Sequence, residues 1–68
     1  MNKISNLLGG REVIIELNPV GNIMRVSAMD VETLTEISIQ GPASAPESTL
    51  KQNALRRLEY VLKKKNII

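Results

Sequence analysis

The last third of the chain most constrains the fold, because residues 44–65 have the pattern of one long amphipathic helix. At 100° per residue, its apolar side chains fall within an arc of about 140°, the width of a helix face that packs on a core. A helix with one apolar face needs a second layer to cover that face, so the preceding residues must supply it. The apolar stripe consists of Leu50, Ala54, Leu55, Leu58, Val61 and Leu62.

Both ends of this helix carry sequence signals. Ser44 and Glu47 have the spacing of a capping box, in which each side chain pairs with a backbone N–H at the helix start. Pro46 falls in the first turn, where its missing N–H is not needed. Residues 63–65 are lysines, which suit the negative end of the helix dipole. The sequence therefore predicts a helix from Ser44 to Lys65.

Three strands are predicted before the helix, over residues 11–18, 22–30 and 35–40. Apolar and polar side chains alternate most clearly in the first of them. The expected fold is α+β: a three-stranded antiparallel meander with one C-terminal helix packed on one face, in the order β-β-β-α. The predicted core consists of Val13, Ile15, Leu17, Met24, Val26, Ile37, Ile39, Leu50, Ala54, Leu58, Val61 and Leu62.

The strand register is predicted from the turns. We expect a four-residue turn over residues 18–21 and a connection through residues 31–34, because a slip of one residue would bring Arg25 onto the apolar face. The predicted pairs are Leu17–Asn22, Ile15–Met24 and Val13–Val26 in the first hairpin, and Ala28–Ile37 and Val26–Ile39 in the second.

A chain of 68 residues builds one small domain, which we place at residues 11–65. Residues 1–10 are expected to be an N-terminal tail and residues 66–68 a C-terminal tail. A domain of this size buries only about 60% of the surface that its unfolded chain exposes. Cys and His are both absent from the sequence, so neither a disulfide nor an ordinary zinc site can stabilise it.

We expect a cytoplasmic protein without a membrane anchor. No segment approaches the roughly 20 apolar residues that span a bilayer. The apolar pair at residues 7–8 is too short to serve as the hydrophobic region of a signal peptide.

Several segments taken together resemble a known family. They are residues 10–13 (GREV), 20–22 (VGN), 26–30 (VSAMD), 35–39 (TEISI), 41–42 (GP) and 58–62 (LEYVL). In this order they are similar to a family of very short bacterial proteins of uncharacterised function, over roughly residues 10–64. The resemblance implies a cytoplasmic β-β-β-α domain, and it implies no activity and no catalytic residue.

The residue types exclude several kinds of catalysis. Without His or Cys, the chain cannot use imidazole acid–base chemistry or a Ser–His or Cys–His nucleophile. Asp30 and Glu32 could pair as carboxylates or bind a hard cation, although acidic residues in turns are usually solvated. We therefore expect no enzyme, no cofactor, no metal site and no catalytic residue.

Positive charge is concentrated in the predicted helix. Residues 1–46 carry three basic and five acidic groups (net −2), whereas residues 47–68 carry six and two (net +4). Basic side chains on the polar side of the helix could contact phosphates, which would make the protein a weak nucleic-acid or anion binder. The interpretation that we favour is an ordinary solvated face, in which the lysines match the helix dipole. The residues concerned are Arg56, Arg57, Lys63 and Lys64.

The leading interpretation is a structural or protein-interaction module that forms a homodimer and binds an unidentified protein partner. Ile14, Ile23 and Met29 lie on the predicted uncovered face, and Tyr60 is either packed over the helix edge or an anchor in a contact. Residues 41–46 contain two prolines, which favour an extended hinge. Such a hinge could exchange the helix between two copies, which is domain swapping.

Overall fold

The protein consists of an antiparallel sheet with a helix packed on one of its faces. The computed structural model describes the backbone of residues 2–68 and the side chains of residues 8–68. The strands of this part run in chain order across the sheet, and the helix packs on the last two. The α+β class, the antiparallel meander and the C-terminal helix are confirmed. The elements are β1 (Asn2–Leu8), β2 (Arg11–Val20), β3 (Ile23–Asp30), β4 (Glu36–Pro42) and α1 (Glu47–Lys64).

Strand β1 lies where a tail was expected, and that prediction is wrong for residues 2–8. It runs antiparallel to β2, with Leu8 opposite Arg11 at the turn. Gly9 and Gly10 connect the two strands with φ values of 58° and 82°. Positive φ at both central positions is the hairpin geometry that matches the twist of the strands, and Gly adopts it without steric cost.

The hairpin between β2 and β3 is tighter than predicted. Val20 pairs with Ile23 across a two-residue turn, so Leu17 lies opposite Val26 and not opposite Asn22. Pro19 belongs to β2 rather than to the turn. It lies beyond the end of the β1 pairing, where its missing N–H breaks no ladder bond.

This register error has little effect on the fold. The shift is an even number of residues, so each side chain of β3 keeps its predicted face. In the second hairpin the predicted pairs are confirmed, with Val26 opposite Ile39 and Ala28 opposite Ile37.

Helix α1 begins three residues later than predicted. Its N-cap is Pro46, with φ −61° and ψ 137°, and no side chain caps it. Proline disfavours helical backbone in the residue before it, and the N–H of Ala45 bonds to the carbonyl of Pro42 at 3.0 Å in a turn. The predicted capping box of Ser44 and Glu47 is therefore wrong. No helix among the described residues has the length and apolar character needed to cross a membrane.

The core lies between β2, β3 and α1. Most of the predicted core residues are buried, but four are only half-buried. Ile37 and Ile39 lie on the edge strand, and Met24 lies near a hairpin turn. Val61 lies beside the i, i+4 row through which α1 packs. The buried apolar residues are Val13, Ile15, Leu17, Val26, Ala28, Leu50, Ala54, Leu58 and Leu62.

Candidate functional site

A buried carboxylate lies at the end of β3. Asp30 is opposite Val13 on the helix-facing side of the sheet, and its side chain is 0% exposed. Arg11, the first residue of β2, donates from Nε to Oδ1 at 3.1 Å and from Nη2 to Oδ2 at 3.0 Å. A bidentate guanidinium is among the strongest partners for a carboxylate. The charge of Asp30 is thus paired within the fold.

The loop between β3 and β4 completes this polar cluster. Thr33 donates to Oδ2 of Asp30 from its backbone N–H at 3.1 Å and from its hydroxyl at 2.6 Å. The hydroxyl of Thr35 lies 2.8 Å from that of Thr33. Leu34 adopts a φ of 60° and donates its N–H to the carbonyl of Asp30 at 2.7 Å. The carboxylate therefore holds the loop in one conformation.

These contacts determine the ionisation of the cluster. The hydrogen bonds from Arg11, together with the weaker contribution of those from Thr33, lower the pKa of Asp30 from 3.8 to about 2, against the opposing effect of burial. The hydrogen bond to Asp30 raises the pKa of Arg11 above its ordinary value. Both groups are therefore charged at neutral pH.

Asp30 and Glu32, the two carboxylates that the sequence suggested as a possible cation site, both pair with the guanidinium of Arg11. Glu32 lies 3.2 Å from Nη2 of Arg11 and is 74% exposed, whereas Asp30 is buried. Arg11 was missed as a partner. The signal was present, because the alternation of β3 places Asp30 on the apolar face, and a buried carboxylate needs a cation. This geometry stabilises a loop and two strand ends.

The second candidate site is the outer side of α1. Tyr60 is 52% exposed. The Cζ atom of Arg57 lies 5.5 Å from the centre of its ring, and Nζ of Lys64 lies 5.8 Å from the same centre. Both distances are within the range of cation–π attraction. Arg57, Tyr60 and Lys64 thus form one basic aromatic cluster, which we call the Tyr60 cluster.

The other two basic residues predicted for phosphate contact are also exposed. Nζ of Lys63 lies 3.8 Å from a carboxylate oxygen of Glu59, one helical turn away. Such an exposed pair contributes little to stability. Arg56 lies on the same solvent-facing side of the helix. The four basic residues therefore share one side of α1, and two of them gather at Tyr60.

The predicted interface residues of the sheet lie on its open face, the face opposite α1. Ile14 is directly opposite Met29 in the pairing of β2 with β3, and both are half-buried. Ile23 lies at the other end of the sheet, between Val20 and Pro42. The open face thus has two apolar patches, and Tyr60 lies on the opposite side of the molecule.

Polar residues separate these two patches. Glu16, Ser27 and Ser38 form one row across the sheet, and the next row contains Arg25. A shallow depression of about 390 Å³ lies over these rows. The residues that line it are Glu16, Asn18, Arg25, Ser27, Glu36, Ile37 and Ser38.

Comparison with known families identifies the fold unit. A family model described as a domain of unknown function (DUF6898) matches residues 10–65. The chain belongs to this family. The DUF6898 match spans β2 to α1 and begins after β1 ends, and it confirms the resemblance to a family of uncharacterised domains. Comparison with curated proteins and with solved structures gives no match.

Proposed function

We propose that the protein is a small non-enzymatic structural or protein-interaction module that forms a homodimer. One observation carries this proposal: α1 covers one face of the sheet, and the open face presents apolar side chains to solvent. Val20 is 57% exposed and Ile23 is 45% exposed, side by side at one end of that face. Apolar residues clustered on a rigid surface are typical of an interaction site.

The size of the domain also favours self-association. Small domains that lack disulfides and metals are often stabilised by a partner chain, because their own core is small. The sequence contains no Cys. A second copy would bury further apolar surface without any change in the fold of the protomer.

A non-catalytic role is supported by the chemistry of the side chains. The sequence contains neither His nor Cys. The buried carboxylate, Asp30, already accepts hydrogen bonds from Arg11 and Thr33. A carboxylate used in this way holds a loop and is not poised to accept a proton from a substrate.

The proposed setting is the bacterial cytoplasm, where the homodimer would bind an unidentified protein partner. The setting rests on the family resemblance described above. The open face, with its apolar ends and polar centre, is the surface that we propose for the partner.

The oligomeric state is the direct test of self-association. Size exclusion with light scattering at micromolar concentration should give twice the protomer mass of 7.5 kDa. Val20→Ser and Ile23→Ser together would show whether the exposed patch contributes to the dimer. A monomer mass across the micromolar range would contradict the proposal.

Three arrangements would give such a dimer: exchange of α1, packing of open faces, or pairing of strand edges. Exchange would require the hinge at residues 41–46 to open. In the protomer, Ala43 donates its N–H to the carbonyl of Asn22 at 2.8 Å, and α1 packs on its own sheet. Nuclear Overhauser contacts between α1 and the sheet in a mixed-isotope sample would test exchange, and purely intrachain contacts would exclude it.

A second candidate function is weak binding of nucleic acid or another anion, and the Tyr60 cluster favours it. Two cations and an exposed aromatic ring lie together on the basic side of α1. Phosphate contacts lose affinity steeply as salt increases, whereas an apolar protein contact does not. Retention of single-stranded DNA at low and moderate salt therefore distinguishes this function from protein binding.

The matched variant replaces Arg56, Arg57, Lys63 and Lys64 together by Gln. If these residues form only a solvated face, stability and self-association should stay nearly unchanged, because surface ion pairs contribute less than about 1 kcal/mol. Salt-sensitive DNA retention by the wild type, lost in this variant, would favour the second function.

A further inference from the structure

We propose that two copies of the chain pair antiparallel through the free edge of β4, which joins their sheets into one. This inference rests on the proposed self-association and specifies the surface that forms it. The strand order places β4 at the edge of the sheet in the described part of the chain. Helix α1 packs over the face of β3 and β4, and Glu36, Ser38 and Gln40 of β4 are exposed.

The hydrogen-bond pattern determines which groups the edge presents. Asp30 donates its N–H to the carbonyl of Thr35 at 2.8 Å, and Ala43 donates to Asn22 at 2.8 Å. Antiparallel pairs alternate between bonded and non-bonded residues, so these two bonds fix the pattern along β4. Odd-numbered residues of β4 bond to β3. The even-numbered residues Glu36, Ser38 and Gln40 direct their N–H and C=O groups outward.

This edge is complementary to itself. With a two-fold axis at Ser38, the N–H and C=O of Ser38 pair with those of Ser38 in the second copy. Glu36 then lies opposite Gln40 of the second copy, so each carboxylate faces a neutral amide. The three residues of each edge that present both an N–H and a C=O outward are all paired, as in other interactions that add a strand to a sheet.

Other registers are less favourable. A shift that centres the axis on Glu36 would place two carboxylates opposite each other, which destabilises a strand pair. An axis on Ile39 would place Pro42 opposite Glu36, and proline has no N–H to donate. An axis on Ile37 would pair only Glu36 and Ser38 and would place Gln40 opposite Leu34, which lies outside β4. Of these registers, only the axis at Ser38 pairs Glu36, Ser38 and Gln40 of both copies.

The helix-facing side of β4 supports the same pairing. Ile37 and Ile39 are only half-buried there, whereas Val13 and Ile15 of the inner strand β2 are fully buried. In the proposed register, Ile37 lies opposite Ile39 of the second copy in a non-bonded pair, where side chains approach most closely. A second copy would thus cover the apolar surface that the protomer leaves exposed on β4.

Hydrogen exchange of the wild-type protein tests this edge directly. The amides of Ile37 and Ile39 bond within the protomer and should be protected at every concentration. The amides of Glu36, Ser38 and Gln40 should become protected only when the protein dimerises. Residue-resolved exchange rates at concentrations above and below the dimer dissociation constant supply the comparison.

A proline variant provides the second test. Ser38→Pro removes an outward N–H and no bond within the protomer, and edge strands tolerate proline. It removes two hydrogen bonds across the axis and should weaken dimerisation about 10- to 100-fold. Ser38→Ala keeps the N–H and is the matched control, with a dissociation constant close to that of the wild type. Far-UV circular dichroism verifies that both variants fold.

The outcomes separate this inference from the proposed function. A dimer with concentration-dependent protection of the three amides, weakened by Ser38→Pro alone, supports edge pairing. A dimer in which these amides exchange freely overturns edge pairing and leaves the proposed self-association intact. A monomer at every concentration overturns both.

Discussion

Asp30 shows how one polar residue can organise a small fold. It lies on the face of the sheet that packs against α1, where its neighbour across the strands is Val13. A carboxylate buried there without partners would be strongly destabilising. Arg11 from β2 and Thr33 from the following loop supply the compensating bonds. One side chain therefore connects the start of β2, the end of β3 and the loop between β3 and β4.

The stability of the protein should depend on the ionisation of Asp30. Its pKa is lowered from 3.8 to about 2 in the folded state. The stabilisation from this carboxylate is therefore complete above about pH 4 and is lost as the pH falls from 4 towards 2. Urea unfolding followed by circular dichroism between pH 6 and pH 2 measures this loss.

Two variants test the assignment to Asp30. Asp30→Asn should be less stable than the wild type at neutral pH. Its free energy of unfolding should also fall less steeply than that of the wild type as the pH is lowered. Glu32→Gln should keep the acid-dependent loss of the wild type, because Glu32 is largely exposed. If the free energy of unfolding of the wild type and that of Asp30→Asn fell in parallel with pH, the result would contradict the role of the buried carboxylate.

Gly41 is a position where a single methyl group should matter. A Cβ at this residue would lie 2.5 Å from Cδ2 of Leu50, which is buried in the core. Overpacking of a core typically costs about 1–3 kcal/mol, and the contact here is with a terminal methyl that can shift, so we expect Gly41→Ala to lower the free energy of unfolding by about 1 kcal/mol. Gln40→Ala changes the exposed neighbour and should alter it by less than about 0.5 kcal/mol. If urea unfolding gave the same loss of stability for Gly41→Ala and Gln40→Ala, the result would be inconsistent with close packing of α1 against β4.

At the scale of the elements, the regular patterns were sufficient to predict β2, β3, β4 and α1. Strand alternation and the apolar stripe of the helix extend over many residues, so an error at one position does not change them. The errors arose where one or two residues decide the backbone. Pro46 stops the helix from starting at Ser44, because the proline restricts the residue before it.

Strand β1 was missed because its signal lies in the turn rather than in the strand. Residues 2–8 have no clean alternation, and the glycine pair at residues 9–10 was interpreted as the end of a tail. Two adjacent glycines can both adopt positive φ, which is the requirement for a two-residue hairpin. The sequence predicts Arg57 and Lys64 on the polar side of the helix and Tyr60 at its edge or in a contact, but the ring contacts of the Tyr60 cluster depend on rotamers that the sequence does not specify.

Helix α1 should contribute most of its stabilisation through one row of residues. Leu58 is 0% exposed at the middle of this row, and Leu58→Ala should cost about 2–5 kcal/mol. Val61→Ala is the matched comparison, because Val61 is only half-buried and should cost less than about 1.5 kcal/mol. A Leu58→Ala variant that melted within a few degrees of the wild type would show that the buried face of α1 is assigned incorrectly.

At the scale of the whole molecule, the sheet has two different surfaces. One face is closed by α1 and contains the core, and the other is solvated and carries apolar patches at its ends. Pairing two copies through β4 would leave both open faces available for a partner and would place them in one continuous sheet. The edge and the open face can thus have separate roles, one in self-association and the other in partner binding.

Thermal stability should therefore depend on protein concentration. When folding is coupled to dimerisation, mass action favours the folded state as concentration increases. A tenfold increase corresponds to about 1.4 kcal/mol per dimer, which should raise the melting temperature of the wild type by a few degrees. Ser38→Pro, with a dimer weakened about 10- to 100-fold, should melt at a lower temperature than the wild type at each concentration in that range, whereas Ser38→Ala should follow the wild type. Circular dichroism melts over a hundredfold range of concentration would reveal the difference, and a wild-type melting temperature independent of concentration would show that the folded protomer does not need a second copy.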